Sequence, residues 1–220
     1  MRILVACEES QAVTIELRRL GHEAYSCDLE LCSGGHPEWH LQVDALQLLK
    51  MRWDMILAFP PCTYLTAADA VRLYDSDHSI KDTERDNCGW AAKQFFMAFW
   101  NADCPHIAIE NPVPLKRYGL LPYSQIIEPY MFGHPWRKRT CLWLKGLPPL
   151  MATDMVIPEG LWVGSTSVRR DPSLTDRYSC IQTETKRDAP RLSGALLALW
   201  QSSGRGKRNN DRPGAGGEVL

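Results

Sequence analysis

The stretch ILVACEESQAVTIELRRLGHEAYSCD, residues 3–28, sets the architecture of this chain. Residues 3–6 are short, apolar and uncharged, which reads as a buried strand. Ser10 stands where a helix N-cap is expected, and Val13, Leu17 and Leu20 then fall on one helical face. Gly21 sits at the position where a helix ends with a left-handed residue. Residues 22–26 read as a second strand, with Asp28 just beyond its end. Strand, helix, strand in this order predicts parallel pairing through a crossover. The expected fold class is therefore α/β, with a doubly wound, mostly parallel sheet.

Two later strands carry the chemistry. Met55-Ile56-Leu57-Ala58-Phe59 is an uncharged apolar run that stops at Pro60-Pro61-Cys62. Ile107-Ala108-Ile109 is another, and it runs into Glu110-Asn111-Pro112. Strands of a parallel sheet are covered on both faces, so unbroken apolar runs suit them. Open α/β sheets bind ligands at the carboxyl ends of their strands, and that edge would present a thiol at Cys62 and a carboxyl group at Glu110. A thiolate beside a carboxylic acid can attack an electron-poor ring and protonate it elsewhere. Taken singly, Cys62 reads as a buried turn cysteine, Glu110 as a solvated strand-end acid and Asn111 as a turn residue. Together, and in this order, they read as a site.

Composition agrees with one compact enzyme. The chain has 220 residues, 45% of them hydrophobic, enough for a sizeable core. A net charge of −1 gives no global footprint for nucleic acid, so any such contact must be local. The eight cysteines lack a framework of regular spacings. The amino-terminal apolar run is too short for a signal peptide, and no apolar span reaches membrane length. Reduced thiols in a cytoplasm are the expectation. No internal repeat is visible.

Elsewhere, Ala91, Phe95, Phe96, Phe99 and Trp100 build an apolar helix whose aromatics belong to the core. The polar stretch 63–87, with Tyr64, Tyr74, His78 and Arg85, is either a closing lid or a solvated helix with frayed ends. Cys27, Cys32, His36 and His40 are zinc-ligand types within fourteen positions, but their middle gap is too short for a usual finger. No metal is expected, and Trp39 or His40 lining a pocket is the alternative. Residues 192–200 read as a last helix, and 203–220, rich in Gly, Arg and Asn, as a disordered tail.

Pro61-Cys62 and Glu110-Asn111 resemble the signature of the DNA cytosine-C5 methyltransferase family, which pairs a Pro-Cys loop after one strand with Glu-Asn after a later one. Arg137-Lys138-Arg139, leading into Thr140-Cys141-Leu142-Trp143-Leu144, resembles that family's Arg-x-Arg element. The resemblance covers roughly residues 1–145. It departs at Pro112, where the family usually has Val, and in the first loop. That loop is glycine-rich in the family and here is Cys7-Glu8-Glu9-Ser10-Gln11-Ala12, without glycine.

The resemblance implies a Rossmann-like, S-adenosylmethionine-dependent methyltransferase fold acting on a cytosine in DNA, flipped out or single-stranded. Cys62 would add to C6, Glu110 would hold or protonate N3, and Asn111 would orient the nucleophile loop. Arg137 or Arg139 would stabilise charge at O2, unless they simply meet phosphate or solvent. Asp28 would bind the cofactor's ribose hydroxyls and Asp44 its adenine amino group, with Phe59 and Pro60 beside it. Glu8 or Glu9 would receive the sulfonium or amino group, unless they are ordinary first-turn helix acids.

The implied organisation is a catalytic core over 1–145, a small insert or reduced target-recognition region over 146–190, and a terminal helix over 191–202 before the tail. Arg169, Arg170, Arg177, Lys186 and Arg187 give the insert a possible phosphate-contacting set. Compact enzymes of this kind occur among phage-encoded relatives, which would place the protein in a host cytoplasm. An enzyme acting on a free nucleotide or RNA cytosine, with another one-carbon donor, stays open. So does a non-catalytic nucleic-acid-binding relative.

Overall fold

Seven strands form a single sheet in the order β3-β2-β1-β4-β5-β7-β6. The structure is a computed structural model and describes residues 1–158. The elements are β1 (Arg2–Ala6), α1 (Ala12–Arg19), β2 (Glu23–Asp28), β3 (His40–Gln42), α2 (Ala45–Leu48) and β4 (Met55–Ala58). They continue with α3 (Ala70–Leu73), α4 (Thr83–Trp100), β5 (Ile107–Pro112), β6 (Gln125–Ile127) and β7 (Thr140–Lys145). The expectations for residues beyond 158, including the rest of the 146–190 insert, the 191–202 helix and the 203–220 tail, lie outside the described residues. Among those described, no helix is long and apolar enough to cross a membrane.

The α/β expectation holds. Strands β1, β2, β3, β4 and β5 pair in parallel, and β7 runs antiparallel between β5 and β6. Register matches Ala6 to Cys27 and to Ala58, and Ala58 to Ile109. The carboxyl ends of β1 and β4 thus finish level, while β2 runs on to Asp28 and β5 to Pro112, at the edge where the strand order reverses between β1 and β4.

Side chains alternate between two apolar layers. Leu4, Ala6, Ile56, Ala58, Ile107, Ile109, Cys141 and Trp143 face Phe96, Phe99, Trp53 and Tyr118. Ile3, Val5, Met55, Leu57 and Ala108 face Val13 and Leu17 of α1. Because both faces are covered, the central strands show no polar alternation, which is why their runs stand out in the sequence.

Three local expectations need correction. Ser10 does not cap α1: its Oγ lies 3.5 Å from the Ala12 amide, and Gln11 enters the helix at φ 58° without a side-chain cap bond. Glu8 takes that role instead, accepting from the amides of Val13 and Thr14 and, at 2.7 Å, from Thr14 Oγ1. The left-handed turn at Gln11 folds the loop back, so an acid before the helix reaches its free amides. Gly21, at φ +84°, does close the helix. The second correction is that β2 runs two residues further than expected, so Asp28 is its last residue rather than lying just beyond it. Pairing with β3 extends the strand there.

The third concerns 63–87. The chain after Cys62 is not one solvated helix, and its first residues are tied down. The amides of Leu65 and Thr66 donate to the Cys62 carbonyl, Ala67 N to Val113 O and Leu115 N to Leu65 O. Leu65 is wholly buried. Short α3 and a bridge between Tyr74 and Ile80 follow. Asp82 then caps α4 through the Arg85 amide at 2.8 Å.

Candidate functional site

Cys62 and Glu110 meet at the carboxyl edge of neighbouring strands. The Pro60-Pro61 step carries the chain out of β4, and two prolines restrict the backbone that presents the thiol. From the adjacent strand end, Asn111, wholly buried, donates Nδ2–H to the Pro60 carbonyl at 2.9 Å. Its Oδ1 is buried without a hydrogen-bond partner among the described residues. Glu110 opens onto a small recess lined by Leu57, Ala58, Phe59, Ala108 and Leu142.

These surroundings explain the electrostatics. Burial pushes the Cys62 thiol above its ordinary range, and the nearby Glu110 carboxylate adds to that; the Lys138 ammonium opposes both. Burial likewise pushes the Glu110 carboxyl up, again opposed by Lys138. A carboxyl group held toward its neutral form beside a thiol is a proton donor beside a latent nucleophile.

Lys138 was not among the residues singled out from sequence; its neighbours were. Arg137, Lys138 and Arg139 are all exposed. Arg139 lies 3.8 Å from Glu128, which follows β6, and its charge acts on Cys141. The two-residue period of β7 does not find Lys138. Leu142 pairs with Glu110, but Lys138 precedes β7, so that period stops short of it.

The second part of the edge lies around β1. Cys7 follows that strand at φ 60°, so the loop takes left-handed turns at Cys7 and Gln11 without glycine. Burial pushes the Cys7 thiol up to about 12, and the charges of Asp28, Cys27 and Asp44 add to it. The Asp28 carboxylate accepts from Glu30 N at 3.1 Å, and Asp44 caps α2 through Leu46 N at 2.9 Å. Two acids therefore converge on the mouth of β1.

The first-loop acids have protein partners. Glu8 is spent on α1, and burial pushes its carboxyl up against the hydrogen bonds that favour its charge. Glu9 accepts from Ser33 through both its backbone carbonyl and its carboxylate. Gln11, wholly buried, brackets His36: Nε2 donates to its carbonyl at 2.7 Å and Oε1 accepts from its amide at 3.0 Å. A Cβ on Gly34 would collide with Ser10 and Gln11, so only glycine lets this segment lie against the loop. Phe59 donates its amide to the Ala6 carbonyl at 3.0 Å and packs its ring on the apolar layers below.

The four zinc-ligand types do not converge. Cys27 Sγ donates to the Val43 carbonyl, His40 bonds Ser26 and the Glu30 carbonyl, and His36 stacks on Trp39 with ring centres 3.9 Å apart. Among the described residues no group of three or more His, Cys, Asp or Glu is placed to hold a metal.

No family model matches this sequence, and no curated protein does. Among solved structures, a prophage-encoded protein of E. coli assigned as a DNA modification methyltransferase is similar at a TM-score of 0.45 and 13% identity. The match covers 70% of this chain and 51% of that one, so the chain spans about half the length of that protein.

Proposed function

We propose that this chain is a DNA cytosine-C5 methyltransferase that works through a covalent Cys62 adduct. The observation that carries the reading is the pairing of Cys62 with Glu110 at one sheet edge, with Asn111 bonded to the loop that presents the thiol. The cofactor reading fits the acids that converge on Cys7: Asp28 for a ribose diol and Asp44 for an amino group. Glu8 would support this pocket by holding α1 rather than by facing it, and Glu9, bonded to Ser33, would stand beside it. Phe59, whose amide bonds the Ala6 carbonyl, and Pro60 after it would lie beside the cofactor next to β1.

The chain's own residues then act in order. Cys62, as thiolate, adds to C6 of a cytosine that is unpaired or flipped out of the duplex. Glu110 gives a proton to N3, so the ring accepts the thiol's electron pair. S-adenosylmethionine, when bound, supplies the methyl group to C5. A base, water among them, takes the C5 proton, Cys62 leaves as thiolate with the C6–S electron pair, and N3 returns its proton to Glu110, which restores the ring. The cations ahead of β7, Arg137 to Arg139, offset charge at O2 and meet phosphate. A partner or the residues past 158 would supply sequence preference, and a phage-encoded role in protecting DNA would suit this reading.

The test uses the full chain, labelled S-adenosylmethionine and DNA carrying 5-fluorocytosine, which traps the adduct because fluorine cannot leave as a proton does. A protein–DNA band that survives denaturation, and is lost in Cys62→Ala, is expected. Label entering a mononucleotide or RNA but not DNA would reassign the substrate. No transfer to any cytosine would sink the reading.

A further inference from the structure

The first turn of α1 follows β1, beside the point where the strand order reverses. Doubly wound sheets bind phosphate on the free amides of such a turn. Here those amides are already engaged. Val13 N and Thr14 N donate to the two carboxyl oxygens of Glu8, at 2.5 Å and 3.3 Å, and Thr14 Oγ1 adds a bond at 2.7 Å. Ala12 N faces Ser10 Oγ at 3.5 Å, and Ile15 N bonds back to the Gln11 carbonyl at 2.8 Å. Glu8 itself is buried. An amide can only donate, so these bonds occupy the turn whatever the charge on Glu8.

The charges around the turn act in the same direction. Glu9, Asp28 and Asp44 join Glu8 at or just past the carboxyl ends of β1, β2 and β3. Between Ile3 and Leu49 the only Lys or Arg residues are Arg18 and Arg19. Arg18 donates to the Ala24 carbonyl at 2.7 Å and stacks on Tyr25 and Trp39, while Arg19 pairs with Glu16. A phosphate arriving at this turn would meet acids and find the Val13 and Thr14 amides taken.

We infer that Glu8 is a specificity-determining residue that closes this mouth to phosphate, so that the ligand held there is an adenosyl compound without one. This rests on Asp28 and Asp44 being the nucleoside contacts. With the ribose diol at Asp28, the group on the 5′ carbon passes over the β1–α1 turn, where a dinucleotide lays its pyrophosphate. A nucleoside diphosphate is refused there, and a thioether or sulfonium is not. The same bonds account for a first loop without glycine. Its left-handed turns at Cys7 and Gln11 bring an acid's side chain onto the helix, rather than bare backbone onto a phosphate.

The experiment titrates the full chain with adenosine and with ADP, without DNA, and follows each ligand by NMR. The two ligands differ only in the diphosphate. The parent is expected to hold adenosine at least about tenfold more tightly than ADP. Glu8→Ser, which frees both amides, should lower that ratio by about tenfold or reverse it. Glu8→Gln keeps the shape and removes the charge, so the ratio should fall by about twofold or more, yet less than in Glu8→Ser. Circular dichroism checks that each variant is folded; if Glu8→Ser is not, the parent and Glu8→Gln decide. A parent that binds ADP as tightly as adenosine, or that binds neither, overturns the inference. So does a folded Glu8→Ser or Glu8→Gln protein that keeps the parent's ratio. Because no methyl is transferred in this assay, a protein that holds adenosine and refuses ADP but modifies no cytosine would refute only the methyltransferase reading.

Discussion

Asn111 on β5 and Pro60 after β4, 51 residues apart, are joined by a hydrogen bond of 2.9 Å from the buried amide to the carbonyl. The bond fixes the loop that carries Cys62 to the strand that carries Glu110. Nucleophile and acid are thereby set by the same sheet edge.

Removing that bond should be felt in stability. Asn111→Ala leaves the Pro60 carbonyl without its donor, and the expected loss is about 1–3 kcal/mol. Asn111→Asp should cost at least as much, since a carboxylate would then face a carbonyl. Denaturant unfolding measures both. An Asn111→Ala protein within about 0.5 kcal/mol of the parent would show that the bond does not hold the loop.

The first loop turns left-handed at Cys7 and Gln11, where a non-glycine residue is disfavoured by about 1–2 kcal/mol. Both side chains also make contacts, so glycine alone gives a mixed result. The comparison that isolates the backbone is glycine against alanine. At each position the glycine variant should be more stable than the alanine variant by about 1 kcal/mol, reversing the usual order. Equal stabilities would mean that the loop relaxes to negative φ.

Asp86 of α4 and Arg117 form a forked pair, Nε to Oδ1 at 2.5 Å and NH2 to Oδ2 at 2.7 Å. The guanidinium holds the Asp86 carboxyl below its ordinary range. A depressed carboxyl contributes stability above its unfolded value of about 3.9 and loses it as pH falls through the folded one. Asp86→Asn should therefore destabilise at neutral pH by about 1–2 kcal/mol, less than a fully buried pair because Arg117 is part-exposed. The gap to the parent should close in acid, below about pH 4. A gap constant from pH 7 to 3 would mean that the ion pair is not its source.

Gly89, in the middle of α4, tests packing against propensity. Alanine is the better helix former by about 1 kcal/mol. Here, however, an added Cβ would land in the Tyr118 ring, which is itself buried. Gly89→Ala should destabilise by about 1–3 kcal/mol, and pairing it with Tyr118→Ala should shrink that cost. A thermal midpoint that rises in Gly89→Ala would show that Tyr118 moves freely.

What the sequence determined by itself was local. Strands β1, β4 and β5 are legible because burial on both faces leaves uncharged runs ended by turn residues, and the order of strand, helix, strand implies parallel pairing. Cys62 and Glu110 are legible for the same reason, as reactive side chains at the ends of such runs. The tertiary structure decided what depends on residues far apart in the chain. It put β7 antiparallel between β5 and β6. It brought the Lys138 charge within reach of Cys62 and Glu110 and paired Arg139 with Glu128. It drew Glu8 onto α1 and lengthened β2 through Asp28, because free amides and unpaired strand ends take whichever partner the packed chain brings to them.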